Sequence, residues 1–369
     1  MIIRASFLSY QRQQSTSPAG CNPQERRLSR DKQIILEPRL VSLLAEAQAG
    51  LGQLSLLKRA WGPWLEFAYW PLSARWAARE AANMGHAVDL AALLALGPLP
   101  QPNRPTRGLR LACGLVLAKR KLEAGQQDVP LLPSQVAEIF YNVDAPHLAR
   151  GGQATPVDLN LPGSGVWSLA PRLLNSGLPP LIVAGITLAS WYHQGPSHPN
   201  LTISGWVLLS GLASRLGLIP QALEGLGPVL RRMDEERGQE LNAILQRLRH
   251  SGAWREWLAW FLEAVALNCA KLVNLALAAQ NLLLDHRELV ATWVRAPRHP
   301  AKLLDLLLKR PVLEVPDIAA ELEITQRTAG QLVKKLKELA ILREMTGQRR
   351  GRRFAYLPLL QLLLDPESP

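Results

Sequence analysis

The chain has 369 residues, 48% of them hydrophobic, and its 42 Lys and Arg against 30 Asp and Glu give a net charge of +12. That apolar content can fill sizeable cores, which excludes a globally disordered chain and fits two or three domains. The basic excess favours polyanionic partners such as nucleic acid, through phosphate neutralisation and counterion release, although a generally basic protein carries the same excess. Cys21, Cys113 and Cys269 are widely separated and form no CxxC pair. This excludes a disulfide framework or zinc knuckle and fits a reducing, cytoplasmic location.

In chain order, residues 1–33 are rich in Arg, Gln and Ser with few acids, and read as a disordered basic tail. Helix-spaced leucines follow in "ILEPRLVSLLAEAQAGLGQLSLLKR", then a Trp-rich helical stretch in "WLEFAYWPLSARWAAREAANMG". The Trp and Phe rings there read as core anchors rather than a ligand cage. "GPLPQPNRPTRG" (97–108) is a proline-rich loop, and "LRLACGLVLAKRKLEAG" (109–125) is an amphipathic helix. No apolar period survives in "GGQATPVDLNLPGSG" (151–165), which reads as a long loop. The longest apolar run, Leu178 to Tyr192, opens on prolines and falls short of the ~20 residues a membrane-spanning helix needs. No membrane partner is therefore expected. Two long helices are predicted at 228–250 and 253–292, the second with Trp254, Trp257 and Phe261 near one face. "RAPRHP" (295–300) is a basic hinge and the best domain boundary, dividing a helical body (34–294) from a C-terminal domain (295–369).

Beyond the hinge the pattern changes. "AKLLDLLLKRP" is a short helix, and "VPDIAAELEI" a second with Pro316 in its first turn. Thr325 is placed to cap a third, "QRTAGQLVKKLKELAI". Ile318, Ala319, Leu322 and Ile324 can pack on Ala329, Leu332, Val333 and Leu336, which makes a helix-turn-helix. Two apolar runs then flank "TGQRRGRR", a β-hairpin that completes a winged helix-turn-helix. Gln326, Arg327, Thr328 and Gln331 stand where recognition helices reach base edges, and Lys334 and Lys335 follow. The hairpin tip carries Arg349, Arg350, Arg352 and Arg353, within reach of flanking phosphates or a minor groove. The predicted fold is thus mainly α, a helical bundle followed by a small α+β winged helix-turn-helix.

Several stretches in this order resemble bacterial Fic-domain proteins that carry a C-terminal winged helix. "LVSLLAEAQAGLGQL" looks like that family's opening helix, and "LLNSGLPPLIVAGITLASW" like the helix leading into its active site. "RMDEERGQELNAILQRLRHSGAWREWLAWFLEAVALNC" is similar to the helices after its motif. The resemblance covers about 40 to 360. The family signature, His-Pro-Phe-x-Asp/Glu-Gly-Asn-Gly-Arg-x-x-Arg, implies transfer of AMP from ATP to a protein hydroxyl. Its His acts as base, its acid holds magnesium, and its Gly-Asn-Gly turn and arginines hold phosphates. Here His198, Pro199 and Gly205 match, whereas Asn200, Thr202, Ile203, Ser204, Trp206 and Leu209 replace the other residues. The metal acid and both phosphate-binding arginines are lost, and a lone His cannot supply the electrostatic stabilisation. Met84, before Gly85, falls where many members hold an inhibitory glutamate.

The leading expectation is a non-catalytic Fic-like body joined to a winged helix that binds double-stranded DNA, acting as a transcriptional regulator without a cofactor. A ligand, a second copy of the chain or another protein remain open as partners of the body. Two alternatives stand beside it. One is a divergent adenylyltransferase that uses His198 with ATP and magnesium, and the other is a scaffold whose winged helix contacts protein.

Overall fold

The computed structural model describes residues 2–3, 34–35, 37–61, 64–83, 85–97, 106–124, 177–194, 209–251, 253–292, 298–348 and 351–364. The described part is mainly α-helical, with a small three-stranded sheet near the C-terminus. Ile2–Ile3 (β1) pairs antiparallel with Ile34–Ile35 (β2). Otherwise the predicted tail lies outside the described residues, as do the 151–165 loop, Met84, and the signature positions 198 to 208.

The helices of the body are α1 (Pro38–Trp61), α2 (Trp64–Asn83), α3 (Leu90–Ala95), α4 (Arg107–Ala124) and α5 (Pro180–Gln194). After a helical run over 209–215 come α6 (Pro220–Glu224), α7 (Leu226–Glu236), α8 (Leu241–Ser251) and α9 (Trp254–Ala291). The long helix predicted over 228–250 is two helices. Gly238 (φ +81°) and Gln239 (φ +64°) turn the chain between α7 and α8. The Asp234 carboxylate then accepts from the Leu241 amide at 2.6 Å, replacing the hydrogen bond that the broken helix gives up.

α9 is the spine. Its first half packs beside α1, with Arg255 paired to Glu37 at one end and Gly50 against Cys269 further along, so the two helices run parallel. A Cβ on Gly50 would stand 2.7 Å from the Cys269 Cβ, so only glycine admits this approach. Gly185 of α5 is held the same way, since a Cβ there would stand 2.8 Å from the Phe261 ring. The buried Trp257 indole donates to the Gly185 carbonyl at 2.9 Å, and Asn268 donates to the Ala222 carbonyl at 2.7 Å. These rings are core anchors, as their spacing predicts.

A second core joins α2, α3 and α4, where the Trp70 indole donates to the Leu94 carbonyl. Cys113 and Cys269 are buried free thiols in these cores. Burial pushes Cys113 up to about 11 and Cys269 up to about 12, which keeps both as inert thiols. Pro38–Ala60 and Trp254–Ala291 are long and apolar enough to cross a bilayer, unlike the 178–192 run that the sequence singles out. Each buries one side in the core.

The C-terminal part comprises α10 (Arg298–Lys309), β3 (Val312–Glu314), α11 (Val315–Glu321), α12 (Gln326–Glu338), β4 (Leu342–Glu344), β5 (Arg353–Tyr356) and α13 (Leu357–Leu364). The sheet is antiparallel, in the order β3-β5-β4. β3 and α13 are not predicted from the sequence. The last part of α9, with Ala279, Leu283 and Val290, shares a core with α10, α11, α12 and the sheet. α13 packs between α9 and α2, and its Leu364 carbonyl accepts from Arg75. Arg310 donates to the Ala95 carbonyl at 3.1 Å. One side of the C-terminal part is thus seated on the body.

Candidate nucleic-acid interface

α11 begins after Glu314, whose amide is capped by the Asp317 carboxylate at 3.1 Å. Pro316 sits in its first turn, where a missing N–H costs nothing. The turn to α12 is tight. Glu323 takes a left-handed φ of +54°, and the Ile324 amide reaches back to the Ala319 carbonyl at 3.0 Å. Thr325 caps α12, its hydroxyl accepting from the Thr328 amide at 3.2 Å. Buried Ala329, Leu332, Val333 and Leu336 follow helical spacing and seat α12 on the core.

That seating dictates what faces outward. Gln326, Arg327, Gln331, Lys334, Lys335, Lys337 and Glu338 are exposed. No acid occupies the first turn of α12, so its amide-rich end stays electropositive. Thr328 is half-buried, its hydroxyl 2.9 Å from that of Thr325. It is therefore shared between capping and any outward contact.

β4 and β5 form the arms of the wing. Gly347 (φ +61°) and Gly351 (φ +63°) carry the left-handed turns of its loop. The Met345 amide donates to the Arg353 carbonyl at 2.9 Å and closes its base. The four predicted arginines are not equivalent. Arg349 and Arg350 lie outside the described residues. Arg352 is exposed, 3.8 Å from Glu344 and over the Phe354 ring at 5.9 Å. Arg353 is half-buried in the sheet opposite Glu314, its Nε 3.5 Å from that carboxylate. Neutralised and partly enclosed, Arg353 serves the sheet more directly than a polyanion.

One further cation belongs to the surface: Lys337 lies with its Nζ 5.9 Å from the Phe354 ring centre. Arg343 is exposed on β4 but pairs with Ala355, on the face of the sheet turned away from α12. Lys337 was legible in the lysine run of α12. The face that Arg343 takes has no sequence signal until β4 and its register are known. The outward face of α12 and the near edge of the wing thus form a polar, mainly cationic surface. Its helix is narrow enough to enter a major groove, with a loop at the flank.

A family model described as an HTH DNA binding domain matches residues 301–356. The match runs from α10 through β5 and contains both helices of the helix-turn-helix and the wing. Comparison with curated proteins gives no match. The C-terminal segment is a helix-turn-helix domain of the DNA-binding type, with a wing, carried on a mainly α-helical chain.

Proposed function

We propose that the chain is a regulator that binds double-stranded DNA through α12 and the wing, with the helical body supplying a second input. The observation that carries this reading is the outward face of α12. Gln326, Arg327, Thr328 and Gln331 stand in its first turns, Lys334 and Lys335 follow, and the domain matches a DNA-binding family. In the proposal the first group reads base edges. The lysines, with Arg349, Arg350 and Arg352 of the wing, neutralise phosphates. Arg353 holds β5 to β3. Selection from a random duplex library tests it. An enriched sequence that loses its advantage with Arg327→Ala is expected. A library that enriches nothing over background overturns the reading.

We further propose that the body is Fic-like and has lost AMP transfer, so that the protein acts without ATP or magnesium. Support comes from the ordered resemblance of its stretches and from Leu209. This residue takes the place of the signature's last arginine and is 1% exposed, packed in the main core. A buried aliphatic side chain offers nothing to a phosphate. Labelled ATP with magnesium should leave no label on the chain or on lysate proteins. Label that disappears in His198→Ala contradicts this and restores the adenylyltransferase.

A further inference from the structure

α9 carries a second pattern that the body's packing does not use. Leu275, Ala276, Ala279 and Leu283 are buried against the cores. On the opposite side Leu267, Ala270, Asn274, Leu277, Asn281 and Leu284 are all exposed. The leucines are 48%, 44% and 46% exposed, although each is large and apolar. Their spacing alternates three and four residues without a break. Among the described residues nothing covers them.

A strict seven-residue repeat drifts around a straight helix by about 20° per heptad. It stays on one line only when two helices supercoil around each other, and it is the seam of a coiled coil. Ala270, Leu277 and Leu284 take one core position of that repeat, and Leu267, Asn274 and Asn281 take the other. No charged residue stands on the line between Leu267 and Leu284, and Glu288 ends it. An uncharged line excludes a polyanion or a charged peptide as its occupant.

The asparagines select the occupant. A carboxamide carries a donor and an acceptor and complements its own copy. Asn at this position fixes register in two-stranded parallel pairs, at some expense of stability. We propose that α9 pairs with α9 of a second copy of this chain, parallel and in register, along Leu267 to Leu284. Asn274 then meets the partner's Asn274, and Asn281 the partner's Asn281.

The surface also sets the strength. From Leu267 to Leu284 the strip is about 26 Å long, on a helix about 10 Å wide. That is smaller than the roughly 800 Å² per partner of a standard interface. The pair is therefore reversible and concentration-dependent. The same helix seats the winged domain through Leu283 and Val290. If the DNA reading holds, a parallel pair sets two recognition helices about one two-fold axis, as paired half-sites require. The pairing itself is measured without DNA, so its failure and that of the DNA reading are separable.

The test is sedimentation of the full chain across a micromolar series. Leu277→Lys with Leu284→Lys is the disrupting variant, and circular dichroism confirms its helix content. Reversible dimerisation, weakened about a hundredfold by the two lysines, is expected. In a Cys21→Ser background, oxidised Asn281→Cys should form a covalent dimer, whereas Ser42→Cys on α1 should not. A monomer at every concentration overturns the proposal. So does self-association that ignores the lysines, or cross-linking confined to a mixture of Asn274→Cys and Asn281→Cys chains, which marks an antiparallel pair.

Discussion

The two ends of α9 hold regions built by different rules. In the body, helices meet through glycines and large rings, as where Gly185 lies under Phe261 and Gly50 against Cys269. Little of that surface is chemically distinctive. In the winged domain a small core is enough to orient one short helix, and the outward side of that helix is nearly all polar or cationic. The body's residues are constrained by shape, and the outward residues of α12 by what they meet. Substitutions in the two regions should therefore fail in different ways.

The largest effect belongs to the body. Trp257→Ala removes a fully buried ring and the hydrogen bond its indole donates to the Gly185 carbonyl. Urea denaturation should show a loss of about 3–5 kcal/mol, while DNA affinity per folded molecule is unchanged. A loss of affinity in molecules that remain folded would break the contrast. Next comes Arg327→Ala or Gln331→Ala, each costing about 1–3 kcal/mol for the selected duplex and little for random DNA, with no change in thermal midpoint. Thr325→Ala stands between the two rules, because it removes the α12 cap. It should cost about 1 kcal/mol in stability, read by denaturation, and weaken all duplexes alike.

The smallest effect sits at the junction of the regions. His286 of α9 lies with its Nδ1 2.7 Å from the Tyr356 hydroxyl of β5. Burial lowers the His286 pKa, partly opposed by the neighbouring Asp285, and the same burial raises that of Tyr356. With the folded pKa below the unfolded value, protonation favours the unfolded chain. The contribution is whole above the unfolded pKa and is lost as pH falls towards the folded one. Thermal midpoints should drop on acidification below about pH 6.5. They should drop less in His286→Asn, and equal slopes in both proteins would remove His286 as the cause.

The sequence made the winged domain legible because its signals are local. Thr325 caps within three residues, Pro316 marks a first turn, and glycines flank the wing. Its missing parts are the non-local ones. β3 is three residues that become a strand only against β5, and Glu323 holds a left-handed turn without a glycine to announce it. The same limit hid the role of Arg353, whose partner Glu314 is far away in the chain. In the body the helices were legible by period, but Gly238 and Gln239 divide one predicted helix into two. The mainly α fold was readable throughout. The base-edge and phosphate residues on α12 were readable as a list, and their shared exposed face came from which side Leu332 and Leu336 bury.

The central claim is that α12 and the wing hold DNA. The direct measurement is affinity of the full chain for the selected duplex over a salt series, beside a variant with Arg349, Arg350 and Arg352 changed to Ala. Arg353 is left in place to keep the sheet intact. The account predicts a linear fall of log affinity with log salt, and in the variant weaker binding with a slope shallower by about one for each phosphate contact removed. No binding at low salt, or a slope that the three alanines leave unchanged, would contradict it.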